Sequence, residues 1–143
     1  MKASAIDYLV DAGPLVAHLN ESDQWHLWAE AAMHFLGDTL HTTDAALTEA
    51  CYLLRHRRAV IDMLMDLIED GTLCVHPIFP AQTTRIRELM NKYDRMDLAD
   101  ATLVALSEQY PRAKLITIDE KDFTIYRRRD GRPVPCIMPK PKA

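Results

Sequence analysis

The sequence is poor in what would send it to a membrane or through one. No uninterrupted apolar run approaches the roughly eighteen residues a membrane helix needs. The segment Met1-Lys2-Ala3-Ser4-Ala5-Ile6-Asp7 lacks the apolar core of a signal peptide, so a cytoplasmic location and no membrane association are expected. Cysteine is scarce. Cys51, Cys74 and Cys136 are odd in number and without C-x-x-C spacing, which argues against a disulfide framework and a structural zinc site and leaves them as reduced, buried side chains. There is no P-loop, no G-x-S-x-G and no H-E-x-x-H, so nucleotide cradling, serine hydrolysis and zinc proteolysis have no support. Internal repeats, low-complexity segments and linkers are absent as well.

With 48% hydrophobic and 27% charged residues, the composition is that of an ordinary folding chain and excludes disorder or a fibrous class. The 143 residues suit one compact domain over 1–143, with a core at about 6–138 and a short tail at 139–143. The net charge of −4 speaks mildly against a general positive field for nucleic acid. The basic clusters Arg55-His56-Arg57-Arg58 and Arg127-Arg128-Arg129, with Arg85, Arg87, Lys92 and Arg95 between them, each read as solvated helix ends and turns.

Periodicity predicts strands alternating with helices. Ile6–Val10 is an apolar strand stopped at Asp11, and Pro14 suits the first turn of the helix after it. Ser22 can cap a helix carrying Trp25, Trp28, Ala29, Ala32, Met33 and Leu36 up to Gly37, a stripe of core or interface type. A short strand at Thr39-Leu40-His41 leads into Thr42-Thr43-Asp44, which caps a helix containing Glu49. A further amphipathic helix ends at Gly71, and Thr72–His76 is a strand. A helix from Pro80 to Tyr93 and another opened by Asp97 precede the strand Lys114–Ile118, which Asp119 halts. Phe123–Tyr126 and Val134–Ile137, around Asp130-Gly131, look like a hairpin closing the sheet edge. Such alternation predicts an α/β/α sandwich around a mostly parallel sheet, whose working residues lie beyond the carboxyl ends of the strands.

The informative acids are those with apolar neighbours: Asp11 after Tyr8-Leu9-Val10, Glu49 between Leu47 and Cys51, Asp100 within Leu98-Ala99-Asp100-Ala101, and Asp119 after Ile116-Thr117-Ile118. A carboxylate partly removed from water needs a compensating cation. Asp97 and Asp100 sit three apart on one helix face, where they repel unless one is protonated or a cation lies between them; helix capping equally explains Asp97. Gathered in one crevice, these oxygens suit a hard divalent ion such as Mg²⁺ or Mn²⁺, and phosphodiester hydrolysis is the natural reaction.

In these motifs the chain resembles the PIN-domain nucleases, particularly the small VapC-like toxins of type II toxin–antitoxin pairs. Leu9-Val10-Asp11-Ala12-Gly13-Pro14-Leu15, Leu47-Thr48-Glu49-Ala50, Asp97-Leu98-Ala99-Asp100-Ala101 and Thr117-Ile118-Asp119-Glu120-Lys121-Asp122-Phe123 match the family's motifs in order and spacing. The resemblance implies a PIN-like sandwich and a Mg²⁺- or Mn²⁺-dependent endoribonuclease. In it Asp11, Glu49, Asp100 and Asp119 hold or orient the metal, Asp97 assists, and Thr117 holds an acid or a water. It also implies a homodimer, a cognate antitoxin covering the groove, and RNA-backbone contacts for which Arg55, Arg57 and Arg58 are the candidates. Ala12-Gly13-Pro14 departs from the pattern, since many members carry a hydroxyl residue after the first Asp.

Two other enzyme classes place an Asp after a first strand. A haloacid-dehalogenase phosphatase needs a second Asp where Gly13 stands, and a receiver domain needs adjacent acids near its first strand. His18, His26, His34, His41, His56 and His76 are scattered singly and read as structural or surface residues. A housekeeping RNA-processing nuclease and a catalytically silent RNA-binding or assembly module remain as alternatives.

Overall fold

The computed structural model describes residues 6–34 and 39–140. In chain order the elements are β1 (Tyr8–Val10), α1 (Ala12–Leu19), α2 (His26–His34), β2 (Leu40–Thr43), α3 (Asp44–Leu53), α4 (Arg58–Glu69), β3 (Leu73–His76), α5 (Thr83–Lys92), α6 (Leu98–Gln109), β4 (Lys114–Ile116), α7 (Glu120–Phe123) and β5 (Cys136–Ile137).

The strands form one sheet in the order β3-β2-β1-β4-β5, parallel throughout, with Leu9 opposite His41 on one side and Leu115 on the other. Successive strand side chains point to opposite faces. Leu9 and Leu115 accordingly join Leu89, Leu103, Leu106 and Phe123 in one core, while Val10 and Ile116 join Leu15, Leu54, Leu64 and Leu73 in another. Helices cover both faces, giving the expected α/β/α layers. The order turns back at β1, whose neighbours β2 and β4 lead the chain to opposite edges. The turning point lies beyond the carboxyl ends of β1 and β4, where a doubly wound sheet carries its ligands in a crevice. No helix among the described residues is long and apolar enough to cross a membrane.

Several local expectations are corrected. Ser22 does not cap α2: Asp23 accepts from the Trp25 amide at 2.8 Å, and the Ser22 hydroxyl accepts from Arg57 instead. The predicted end of this helix at Gly37 lies outside the described residues. Phe123–Tyr126 is no hairpin arm, because Asp119 caps the short helix α7 at that place. The return around Asp130-Gly131 survives only as an Arg127–Pro133 bridge, and Cys136–Ile137 closes the sheet edge in parallel. Cys74 is exposed rather than buried. Arg128 is buried rather than solvated, donating to the Ser107 and Pro111 carbonyls. Gly71, after α4, has the left-handed φ of 84° that suits its position as a helix stop.

Candidate active site

Three of the acids are caps at helix starts, Asp100 lies in the first turn of α6, and Glu49 lies in the middle of α3. Asp11 follows β1 and caps α1, its Oδ1 accepting from the Ala12 amide at 2.8 Å. Its Oδ2 accepts from the Thr117 hydroxyl at 2.9 Å, and the same hydroxyl oxygen accepts from the Asp119 amide at 3.0 Å. Thr117 thus binds the ends of β1 and β4 into one unit. Asp119 caps α7 in turn, accepting from the Asp122 amide at 3.2 Å.

On the helical side, Thr43 caps α3 and shares a 2.8 Å hydrogen bond with Thr102 of α6, which fixes the helix of Glu49 against that of Asp100. Asp97 caps α6 by accepting from the Asp100 amide at 2.8 Å. Asp100 is 7% exposed, and its Oδ2 accepts from the Tyr126 hydroxyl at 2.8 Å. Carboxylate oxygens of Asp100, Asp119 and Asp122 lie within 4.8 Å of one another. Gly13 lets α1 approach closely: a Cβ there would stand 2.8 Å from Ile118 Cγ1.

Crowding these acids makes their protons hard to remove. Burial pushes Asp11 up to about 6, against the hydrogen bonds from Thr117 and Ala12 and with the charges of Asp119 and Asp97 adding to the rise. Burial raises Glu49 to about 7, helped by Asp11, Asp97 and Asp119. Asp100 reaches about 8 through burial and its acidic neighbours, despite the Tyr126 hydroxyl. Asp119 is raised too, chiefly by burial. Among the described residues the ion pair at this cluster is Arg95–Asp122 at 3.1 Å.

The structure therefore brings Asp11, Glu49, Asp97, Asp100 and Asp119 into one electrostatically linked group. Among the described residues, no ion pair or hydrogen bond joins Arg55, Arg57 or Arg58 to these acids. Arg55 stacks on Tyr52 with its guanidinium 4.2 Å from the ring centre, Arg57 donates to Ser22, and exposed Arg58 opens α4. Sequence reasoning missed Asp122, Tyr126 and Arg95. The spacing Asp119, Asp122, Tyr126 follows the three-and-four step of a helix face and could have revealed the first two. Reading the segment as a hairpin arm concealed it.

The PIN domain family matches residues 8–128. The chain belongs to the PIN-domain family. Three solved structures share the fold of this PIN domain. The sarcin–ricin loop-cleaving toxin VapC20 of Mycobacterium tuberculosis matches with a TM-score of 0.69 and 17% identity, over 76% of this chain and 87% of its own. A toxin–antitoxin complex from Klebsiella pneumoniae matches with a TM-score of 0.64 and 21% identity, over 83% of this chain and 92% of its own. VapBC2 from Rickettsia felis, bound to a DNA fragment from its promoter, matches with a TM-score of 0.66 and 13% identity, over 94% of this chain and 100% of its own. No curated protein matches the sequence. The donor set of this PIN domain, carboxylate oxygens of which those of Asp11, Glu49, Asp100 and Asp119 hold their protons more tightly than usual, fits a hard divalent cation, which such oxygens prefer over a soft one.

Proposed function

We propose that this PIN domain is a Mg²⁺- or Mn²⁺-dependent endoribonuclease and the toxin of a toxin–antitoxin pair. The observation that carries the reading is the convergence of strand-end and helix-start carboxylates on one crevice, where burial and mutual repulsion leave them in want of a cation. Asp100, Asp119 and Asp122, whose oxygens lie within 4.8 Å of one another, would hold the ion together with Asp11, with Glu49 and Asp97 completing the group. When bound, the ion supplies an activated water and polarises the phosphate. Inverting the local charge also admits an anionic backbone to an acidic pocket.

The protein's own groups do the rest. Thr117 keeps Asp11 and the Asp119 backbone in fixed relation. Glu49, half-buried among these acids, would take up the proton of the attacking water. Arg95, paired with Asp122 at the cluster, would join Arg55, Arg57 and Arg58 in meeting the phosphates of a bound backbone. The toxin assignment draws on the fold neighbours, which include a sarcin–ricin loop-cleaving toxin and a toxin–antitoxin complex. An antitoxin partner and a homodimer belong to the same reading.

Cleavage assays test it directly. Purified protein should cut RNA with Mg²⁺ or Mn²⁺ and not in EDTA, and Asp11→Asn or Asp100→Asn should lower the rate by more than about 100-fold while leaving the circular dichroism spectrum unchanged. Undiminished or metal-independent cleavage would sink the proposal. Expression of the chain alone should arrest growth, with rescue by a small neighbouring open reading frame. Normal growth together with metal-dependent cleavage would point to an RNA-processing enzyme instead.

A further inference from the structure

The turn after α7 is held more firmly than an edge connection requires. The Tyr126 amide donates to the Asp122 carbonyl at 3.1 Å, and the Arg127 amide donates to the Tyr93 hydroxyl at 2.9 Å. The Arg127 guanidinium then donates to the carbonyls of Thr124, Ile125 and Tyr126 at 2.8, 3.2 and 2.9 Å. The Tyr126 ring is 1% exposed and lies edge-on to both Tyr93 and Phe123, each at 5.2 Å between centroids. Everything that could let this side chain drift is tied down, and its hydroxyl is spent on one group, Oδ2 of Asp100, at 2.8 Å.

That partner matters because Asp100 faces two other carboxylates within 4.8 Å. Like charges at that separation drive side chains apart when their rotamers are free. An Asp with neither oxygen anchored is free to turn to a rotamer that faces away from Asp119 and Asp122, all the more once it is ionised. With Oδ2 anchored, Oδ1 is the oxygen left for a cation. A hydrogen bond inside a buried wall holds more strongly than one in water. Partners behind metal-binding carboxylates commonly set affinity in this way.

We infer that Tyr126 is a positioning residue of the acidic centre: its hydroxyl fixes the Asp100 carboxylate toward Asp119 and Asp122, so that a divalent cation finds its oxygens already in place. This rests on the metal-dependent reading above, but its readout is cation binding rather than RNA cleavage. Tyr126→Phe keeps the ring and its edge-on contacts and removes only the hydroxyl. Calorimetric titration of the whole chain with Mn²⁺ should show a Kd about 10-fold weaker than wild type, in the range that such outer partners produce. Melting of the metal-free protein should stay within a few degrees, and saturating Mn²⁺ should restore most of the cleavage rate.

Leu64→Ala opens a cavity in the core on the other face of the sheet, away from the hydroxyl, and it should lower the melting temperature while leaving the Mn²⁺ Kd unchanged. An unaltered Kd in Tyr126→Phe, or an equal loss in Leu64→Ala, overturns the role of the hydroxyl alone. Wild-type protein that binds Mn²⁺ without cutting RNA overturns the nuclease reading and leaves the Tyr126 comparison standing. Wild-type protein that binds no Mn²⁺ overturns both.

Discussion

At the residue scale, the folded chain carries an electrostatic debt that Asp100 makes plain. Its carboxyl ordinarily loses its proton near 3.8, and burial with three acidic neighbours moves that to about 8. A raised carboxyl pKa means the folded state holds the proton more tightly than the unfolded chain does. The stability this gives is fully present below 3.8 and is lost as pH rises through about 8. Without metal, Asp100→Asn should therefore be more stable than wild type at pH 8 by roughly 1–2 kcal/mol, and the gap should close toward pH 4. Urea unfolding at pH 4, 6 and 8 in EDTA checks this; a mutant less stable than wild type at pH 8 would contradict a buried, crowded carboxylate. Asn keeps an oxygen for the Tyr126 hydroxyl, so the comparison isolates charge. Asp11 and Asp119 were legible because a single acid ending an apolar run stands out. Asp122 and Tyr126 were not, since their importance comes from side-chain direction on a short helix and the turn after it, which the apolar residues around them disguised as a strand.

At the element scale, the striking economy of the site lies in helix starts: Asp11, Thr43, Asp97 and Asp119 cap α1, α3, α6 and α7. Unpaired amides at a helix start favour negative charge nearby, so the same turns that satisfy the backbone also soften the repulsion among the acids. Caps announce themselves in sequence, and the starts of α3 and α6 were readable at Thr43 and Asp97. The start of α2 was not, because Ser22 and Asp23 are both good caps and only the packing decides that Asp23 bonds the Trp25 amide. Thr43 shows how a cap reaches the chemistry. Thr43→Ala removes the bond from the Ala46 amide and the link to Thr102, costing about 1–2 kcal/mol of stability. Because α3 also carries Glu49, cleavage should fall by more than the loss of folded protein explains, and Thr43→Ser should recover both. Paired unfolding and single-turnover measurements decide it; a Thr43→Ala protein that is destabilised yet fully active per folded molecule would separate the cap from the site.

At the scale of the whole molecule, the sheet order and the gathering of acids are one problem. Reversing direction at β1 places the ends of β1 and β4 side by side, and the chain's acids gather where that topology leaves a crevice. A net charge of −4 then becomes a consequence of the site rather than an objection to an anionic substrate. A cation that binds only the folded form stabilises it by about 2.7 kcal/mol at a hundred times its Kd. Binding must displace the protons that Asp11, Glu49 and Asp100 hold up to about 6, 7 and 8. The stabilisation by a fixed concentration of Mn²⁺ should therefore be small at pH 5 and grow steadily to pH 8, the reverse of the metal-free trend. Melting curves with and without Mn²⁺ across that range would show the two lines diverging. A stabilisation independent of pH would mean the ion binds outside this crevice, since no protonated carboxylates would then be competing for it.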